Sequence, residues 1–120
     1  MTKSERKSRD EIEQIEQETG VYYDIENNTV SYTAEKNDTS HFVDFIEYLF
    51  DEGYITKEDI PYTPGYGKIR YLLNSNKSHQ DGREMTRPEN VSEGVYLETN
   101  HDSESKIRYT KQVFDDFVFE

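Results

Sequence analysis

From Glu98 to Lys106 the chain runs nine residues, ETNHDSESK, without an apolar side chain. The run joins a strand-like stretch, GVYLET, to a helix-like one beginning near Ser103 or Ser105. Two kinds of chemistry suit it. Ser, Thr, Asn and Asp oxygens can cap a helix by accepting its free N–H groups. The same N–H groups, left open, suit an anion such as phosphate, and an Asn amide can pair with an adenine edge. Two further stretches carry fixed positive charge. In GYGKIRY, Gly67 leads Lys68 and Arg70 from a tight loop into a strand, where residues two apart share a face. In GREMTRPEN, Arg83 and Arg87 stand in a loop. Taken singly, each stretch also reads as ordinary structure: a cap, a loop and a solvated loop.

Other chemistries lack their residues. The chain has no Cys, which excludes disulfides, thiol catalysis and zinc ribbons. His41, His79 and His101 are not paired at metal-ligand spacing and are expected to face solvent. Acidic pairs such as Asp51/Glu52, Glu58/Asp59 and Asp115/Asp116 carry little information among 26 carboxylates. There is no Gly-x-Ser-x-Gly elbow, and PGYGKIR is neither a Walker loop nor a dinucleotide loop. The expectation is a protein without catalytic residues, metal or cofactor.

The elements that must position these residues follow from periodicity and caps. DTSHFVDFIEYLFDEG places Phe42, Phe45, Ile46, Leu49 and Phe50 on one helical stripe, with Asp38, Thr39 or Ser40 as cap and Gly53 after the end. VYYDIENNTVSYT predicts a hairpin of Val21–Ile25 and Thr29–Thr33. KIRYLLNS and GVYLET predict two later strands, and NKSHQDGREMTRPEN an irregular loop. SESKIRYTKQVFDDFVF predicts a closing helix with Ile107, Phe114 and Phe117 inward. The order predicts an α+β fold: a small antiparallel sheet, the hairpin plus two later strands, packed with two main helices. Residues 1–20 form an acidic helix whose stripe is only Ile12 and Ile15, read as a helical arm outside a single domain of residues 21–120.

Apolar content is 32%, so the core must be thin, and the 10 Tyr and 6 Phe must fill much of it. The expected core adds Leu72, Val95, Leu97 and Val113 to the helical residues above. No apolar run approaches the ~18 residues of a membrane span, and MTKSERKSRDE holds no signal segment, so a soluble cytoplasmic protein is expected. Net charge is −12, unevenly spread. Residues 1–64 hold 6 Lys/Arg against 16 Asp/Glu, whereas residues 65–112 hold 8 against 7. Only the later segment would not repel a polyanion.

In this order the pieces resemble the C-terminal DNA-binding domain of the SeqA family, the negative modulators of replication initiation. The carriers are GKIRYLL (Gly67–Leu73), RPENV (Arg87–Val91), GVYLETNHDS (Gly94–Ser103) and the helix from about Ser105, within residues 39–118. The family's layout is a helix, a Gly-Arg-x-Arg loop entering a strand, a Lys-Pro-rich loop, a strand, a Thr-Asn-Thr-Asn turn and a C-terminal helix. The resemblance implies duplex DNA as partner, with hemimethylated GATC as the family's ligand. It also implies contacts from Lys68 and Arg70, from Thr99 and Asn100, and from Lys106. Arg83 and Arg87 join these as loop cations. Departures are visible: Lys68 replaces a bidentate Arg with a point charge, and Asp102 stands where the family has a second Asn. The alternative from charge alone is an acidic inhibitor or DNA mimic that captures a basic protein partner. A salt-adapted surface would also be acidic, though Lys outnumbers Arg by 8 to 6.

Overall fold

The computed structural model describes residues 3–33, 37–63, 71–79 and 82–119, with side chains from residue 9 onward. It has α+β architecture. Helix α1 (Lys3–Thr19) leads into a hairpin of β1 (Val21–Asp24) and β2 (Thr29–Tyr32). Helix α2 (Asp38–Asp51) and a 3-10 turn (Lys57–Asp59) precede strands β3 (Leu73–Asn74), β4 (Pro88–Ser92) and β5 (Val95–Glu98). Helix α3 (Ser103–Val113) ends in a π-helical turn (Phe114–Val118).

The expected hairpin and later strands do not share one sheet. The hairpin is a two-stranded sheet, and the later strands form a separate three-stranded antiparallel sheet in the order β3-β5-β4. The extra strand, β4, comes from the tail of the stretch expected to be irregular. Its only fully buried side chain is Val91, so its alternation is too weak to read. Glu93 and Gly94 turn the chain from β4 into β5, and Asn90 Nδ2 donates to the carbonyls of Ser92 and Val95, tying the bulged corner together.

Helix α2 forms as its stripe dictates. Phe42, Phe45, Ile46 and Leu49 are buried and Phe50 is half-buried. The cap lies one residue before the expected ones: Asn37 accepts the Ser40 N–H at 2.8 Å. The Phe114 ring lies 4.9 Å from Phe45 and 5.1 Å from Tyr23, and Tyr23 meets Phe119 edge-on at 4.8 Å. This cluster joins the hairpin, α2 and the C-terminal turn. Of the expected core, Leu72, Val95, Leu97, Val113 and Phe114 are buried, while Ile107 and Phe117 are half-buried.

Helix α1 is not an arm. Ile12 and Ile15 are buried and belong to the same core as α2, and Thr19 continues their stripe one turn later. The Thr19 hydroxyl donates to the Ile15 carbonyl, and its own carbonyl accepts from His41 Nδ1 at 2.9 Å. Gly20 then turns the chain with φ +74°, and a Cβ there would lie 2.6 Å from His41 Cε1. Only glycine fits both the backbone angle and that approach. His41 is thus fully buried, stacked 5.5 Å from the Tyr32 ring, rather than solvent-facing.

Docking of α1 has a direct consequence. Ile15→Ala should destabilise the fold by about 2–5 kcal/mol, and Phe114→Ala by about 3–5 kcal/mol. A chain beginning at Gly20 should lose cooperative unfolding. Urea titrations monitored by tyrosine fluorescence will check all three; a truncated chain with an unchanged midpoint would restore the arm.

Candidate functional site

The register of the three-stranded sheet decides which polar segments meet. Leu73 pairs with Leu97 and Pro88 with Glu98, both antiparallel. The starts of β3 and β4 therefore flank the end of β5. Beyond the paired residues, Glu98 N–H donates to the Leu72 carbonyl at 2.9 Å, and Thr99 N–H to the Arg87 carbonyl at 3.1 Å. The chain arriving at β3, the Thr86–Arg87 turn and the elbow after β5 share one end of the sheet.

Glu98 holds this end together. On β5 it alternates with Leu97 and reads as solvent-facing, yet it is only 2% exposed. One carboxylate oxygen accepts the Thr86 N–H and the other the Arg87 N–H, both at 2.8 Å. His79, also buried, lies with Nε2 at 3.4 Å from Glu98 Oε1. Its Nδ1 accepts the Tyr71 N–H at 3.0 Å, so the ring proton sits on Nε2, toward the carboxylate. Burial raises the Glu98 pKa, but the two backbone N–H groups and His79 outweigh it, and the carboxyl is held below the usual range.

The loop before β4 covers Glu98 because it is stitched to itself. His79 N–H donates to the Arg83 carbonyl at 2.7 Å, and Met85 N–H to the Lys77 carbonyl at 2.8 Å. Asn74 Nδ2 donates to the Ser78 carbonyl at 2.8 Å. Met85 is buried with His79 and Asn74. Neither Glu98 nor His79 stood out in the sequence. The nearest local signal is Pro88, a residue confined to edge strands, and β4 is an edge of the sheet.

The elbow divides its residues between clasp and surface. Thr99 is buried, and its hydroxyl donates to the Arg87 carbonyl at 2.7 Å. His101 is half-buried, edge-on to Phe42 and Tyr109, with Nε2 donating to the Glu98 carbonyl at 3.1 Å. Asp102, not Ser103 or Ser105, caps α3 by accepting the Ser105 N–H at 2.7 Å. That N–H and the Ser105 hydroxyl hold its carboxyl below the usual range. Asn100 alone among Glu98–His101 is exposed.

The candidate residues thus separate. Arg83, Arg87 and Asn100 are exposed. Thr99 and Lys106 are not surface contacts: Lys106 is 8% exposed, and its ammonium donates to Thr39 Oγ1 at 2.9 Å, tying α3 to the start of α2. Lys68 and Arg70 lie outside the described residues; Arg70 directly precedes Tyr71. Of the other late cations, Arg108 lies over the Tyr109 ring and Lys111 faces Asp115 at 3.7 Å. Among the described residues no cluster of His, Asp or Glu could hold a metal ion, and no helix is long and apolar enough to cross a membrane.

Glu98 gives the fold a defined acid sensitivity. Its folded pKa lies below the ordinary glutamate value of about 4.3, so in acid the unfolded chain binds the proton more readily. The stability it contributes is present above that value and is lost as pH falls through the folded pKa. Glu98→Gln should cost about 1–3 kcal/mol at neutral pH and flatten the acid limb of stability against pH. Urea midpoints across the acid range provide the check, and parallel acid limbs would show that Glu98 is not the group responsible.

No family model, curated protein or solved structure matches this chain.

Proposed function

We propose that this chain is a small non-enzymatic protein that binds double-stranded DNA through the end of its three-stranded sheet. One observation carries the reading: antiparallel register brings the chain entering β3, the Arg87 turn and the Asn100 elbow to a common end. These are the segments whose residue types suit phosphate and base contact. Arg83 and Arg87 supply fixed charge to backbone phosphates. Asn100, exposed beside a capped helix start, has the paired donor and acceptor that match an adenine edge. The buried carboxylate of Glu98 faces inward onto N–H groups, so it does not confront the polyanion. The element order helix, β3, loop, β4, β5, elbow, helix keeps the SeqA-like succession of helix, strand, loop, strand, turn and helix but adds β4 at the end of the loop, and adenine-methylated duplex is the ligand class to try first. Lys68 and Arg70, just before β3 in sequence, belong to the same proposed contact set, whereas Thr99 and Lys106 act from within.

A second reading draws on a different observation. Glu47 is raised in pKa first by burial and then by Asp44, Asp51 and Glu89, so carboxylates crowd where α2 meets β4. Such a surface suits an acidic inhibitor that engages a basic protein cleft.

Fluorescence-anisotropy titrations with unmodified, hemimethylated and fully methylated duplexes, over a range of salt, separate the readings. Arg87→Ala should weaken all duplexes and lower the slope of log K against log salt by about 0.9. Asn100→Ala should instead remove about 1–3 kcal/mol of discrimination between modified and unmodified sites. Asp102→Asn, which preserves a capping side chain, should tighten binding. Lys106→Met should lower stability and leave the salt slope unchanged. Absence of duplex binding at low salt would sink the DNA reading. The acidic reading would then require that charge reversal at Glu47 and Asp51 abolish partner capture while Asn100→Ala has no effect.

A further inference from the structure

We infer that Glu98 and Thr99 are positioning residues for DNA binding, acting through the backbone of Arg87; this rests on the DNA-binding reading above. Arg87 is gripped at both of its peptide groups by two consecutive residues of the β5 end. The Glu98 carboxylate accepts its N–H at 2.8 Å, and the Thr99 hydroxyl and N–H both donate to its carbonyl, at 2.7 and 3.1 Å. Asn100 follows directly. One continuous tripeptide therefore anchors the exposed cation and carries the exposed amide, so their relative placement is set by short covalent geometry.

The grip sits on the last rung of the β4–β5 ladder. Beyond the Pro88–Glu98 pair the backbone continues by one bond, Thr99 N–H to the Arg87 carbonyl, and the Glu98 carboxylate and Thr99 hydroxyl reinforce that rung from either side. A buried carboxylate spent on two successive backbone N–H groups is a costly way to hold an ordinary turn. It is justified where the turn must keep one geometry. His79 extends the same network: Nε2 faces Glu98, and Nδ1 accepts from Tyr71, the residue after Arg70. Glu98 thereby connects all three segments through side-chain or backbone contacts of its own or of His79.

A double-mutant cycle tests the inference on the full chain. Duplex affinity, salt slope and urea midpoint are measured for Glu98→Gln, Arg87→Ala and the pair together, and for Thr99→Val and Thr99→Ser. Positioning predicts that Glu98→Gln and Arg87→Ala each weaken binding about tenfold, that the double variant is no weaker than Arg87→Ala, and that the salt slope of Glu98→Gln falls like that of Arg87→Ala. Thr99→Ser, which keeps the hydroxyl, should bind as the parent does, and Thr99→Val should lose affinity even at temperatures where it is fully folded. Multiplying losses in the double variant, or folded Thr99→Val and Glu98→Gln proteins with unchanged affinity and slope, would overturn it while leaving DNA binding intact. A parent chain that binds no duplex at low salt would overturn both.

Discussion

A buried carboxylate must find donors or lose its charge, and Glu98 finds them in the N–H groups of Thr86 and Arg87. Much of the sheet's architecture follows from that requirement. The turn before β4 has to approach β5 closely, the loop containing His79 and Met85 has to fold over the carboxylate, and the elbow has to leave at the same end. Below Glu98 the strands are short: β3 is two residues long and β5 four. Backbone pairing alone would specify so small a sheet weakly, and the side-chain network supplies the missing definition.

The same economy runs through the rest of the molecule. With few aliphatic residues, the core is closed by aromatic rings and by buried polar groups bonded to one another across elements. His41 bridges the end of α1 and lies against Tyr32 of the hairpin; the Tyr32 hydroxyl meets Thr110 Oγ1 of α3 at 2.7 Å; Lys106 reaches back to Thr39. These contacts fix relative placement more than they add energy, because a satisfied buried hydrogen bond contributes only about 1 kcal/mol net. Their loss is costlier, since the abandoned partner stays buried. Specific joints of this kind let a polar chain hold a single arrangement.

Charge follows the layers. Acidic residues concentrate on α1 and α2, where burial together with Glu11 and Glu52 pushes the Tyr54 hydroxyl up to about 12. The sheet end is different: its buried carboxylate is internally satisfied, and its exposed groups include Arg83, Arg87 and Asn100. The exposed carboxylates of Asp102 and Glu104 follow Asn100 closely, and the elbow packs on the start of α2 through His101 and Lys106, so the field at this end is set by the local balance of groups rather than by net charge.

What the residues alone determined was local and periodic. The α2 stripe, the hairpin around Ile25–Asn28, the position of β5 and the polar elbow were legible because side chains repeating every two or about 3.6 residues report which face turns inward. The α+β class and nine of the twelve expected core residues as fully buried followed from the same signal. What only the tertiary structure decided was what covers each face. Ile12 and Ile15 looked too sparse to dock until α2 and the hairpin supplied the surface. Glu98 alternates outward, and nothing local announces that a loop will close over it; Lys106 and Thr99 look exposed until Thr39 and Arg87, distant in sequence, arrive as partners. Short-range pattern encodes direction, whereas burial of a polar side chain depends on a partner brought by the fold, and that partner leaves no periodic trace.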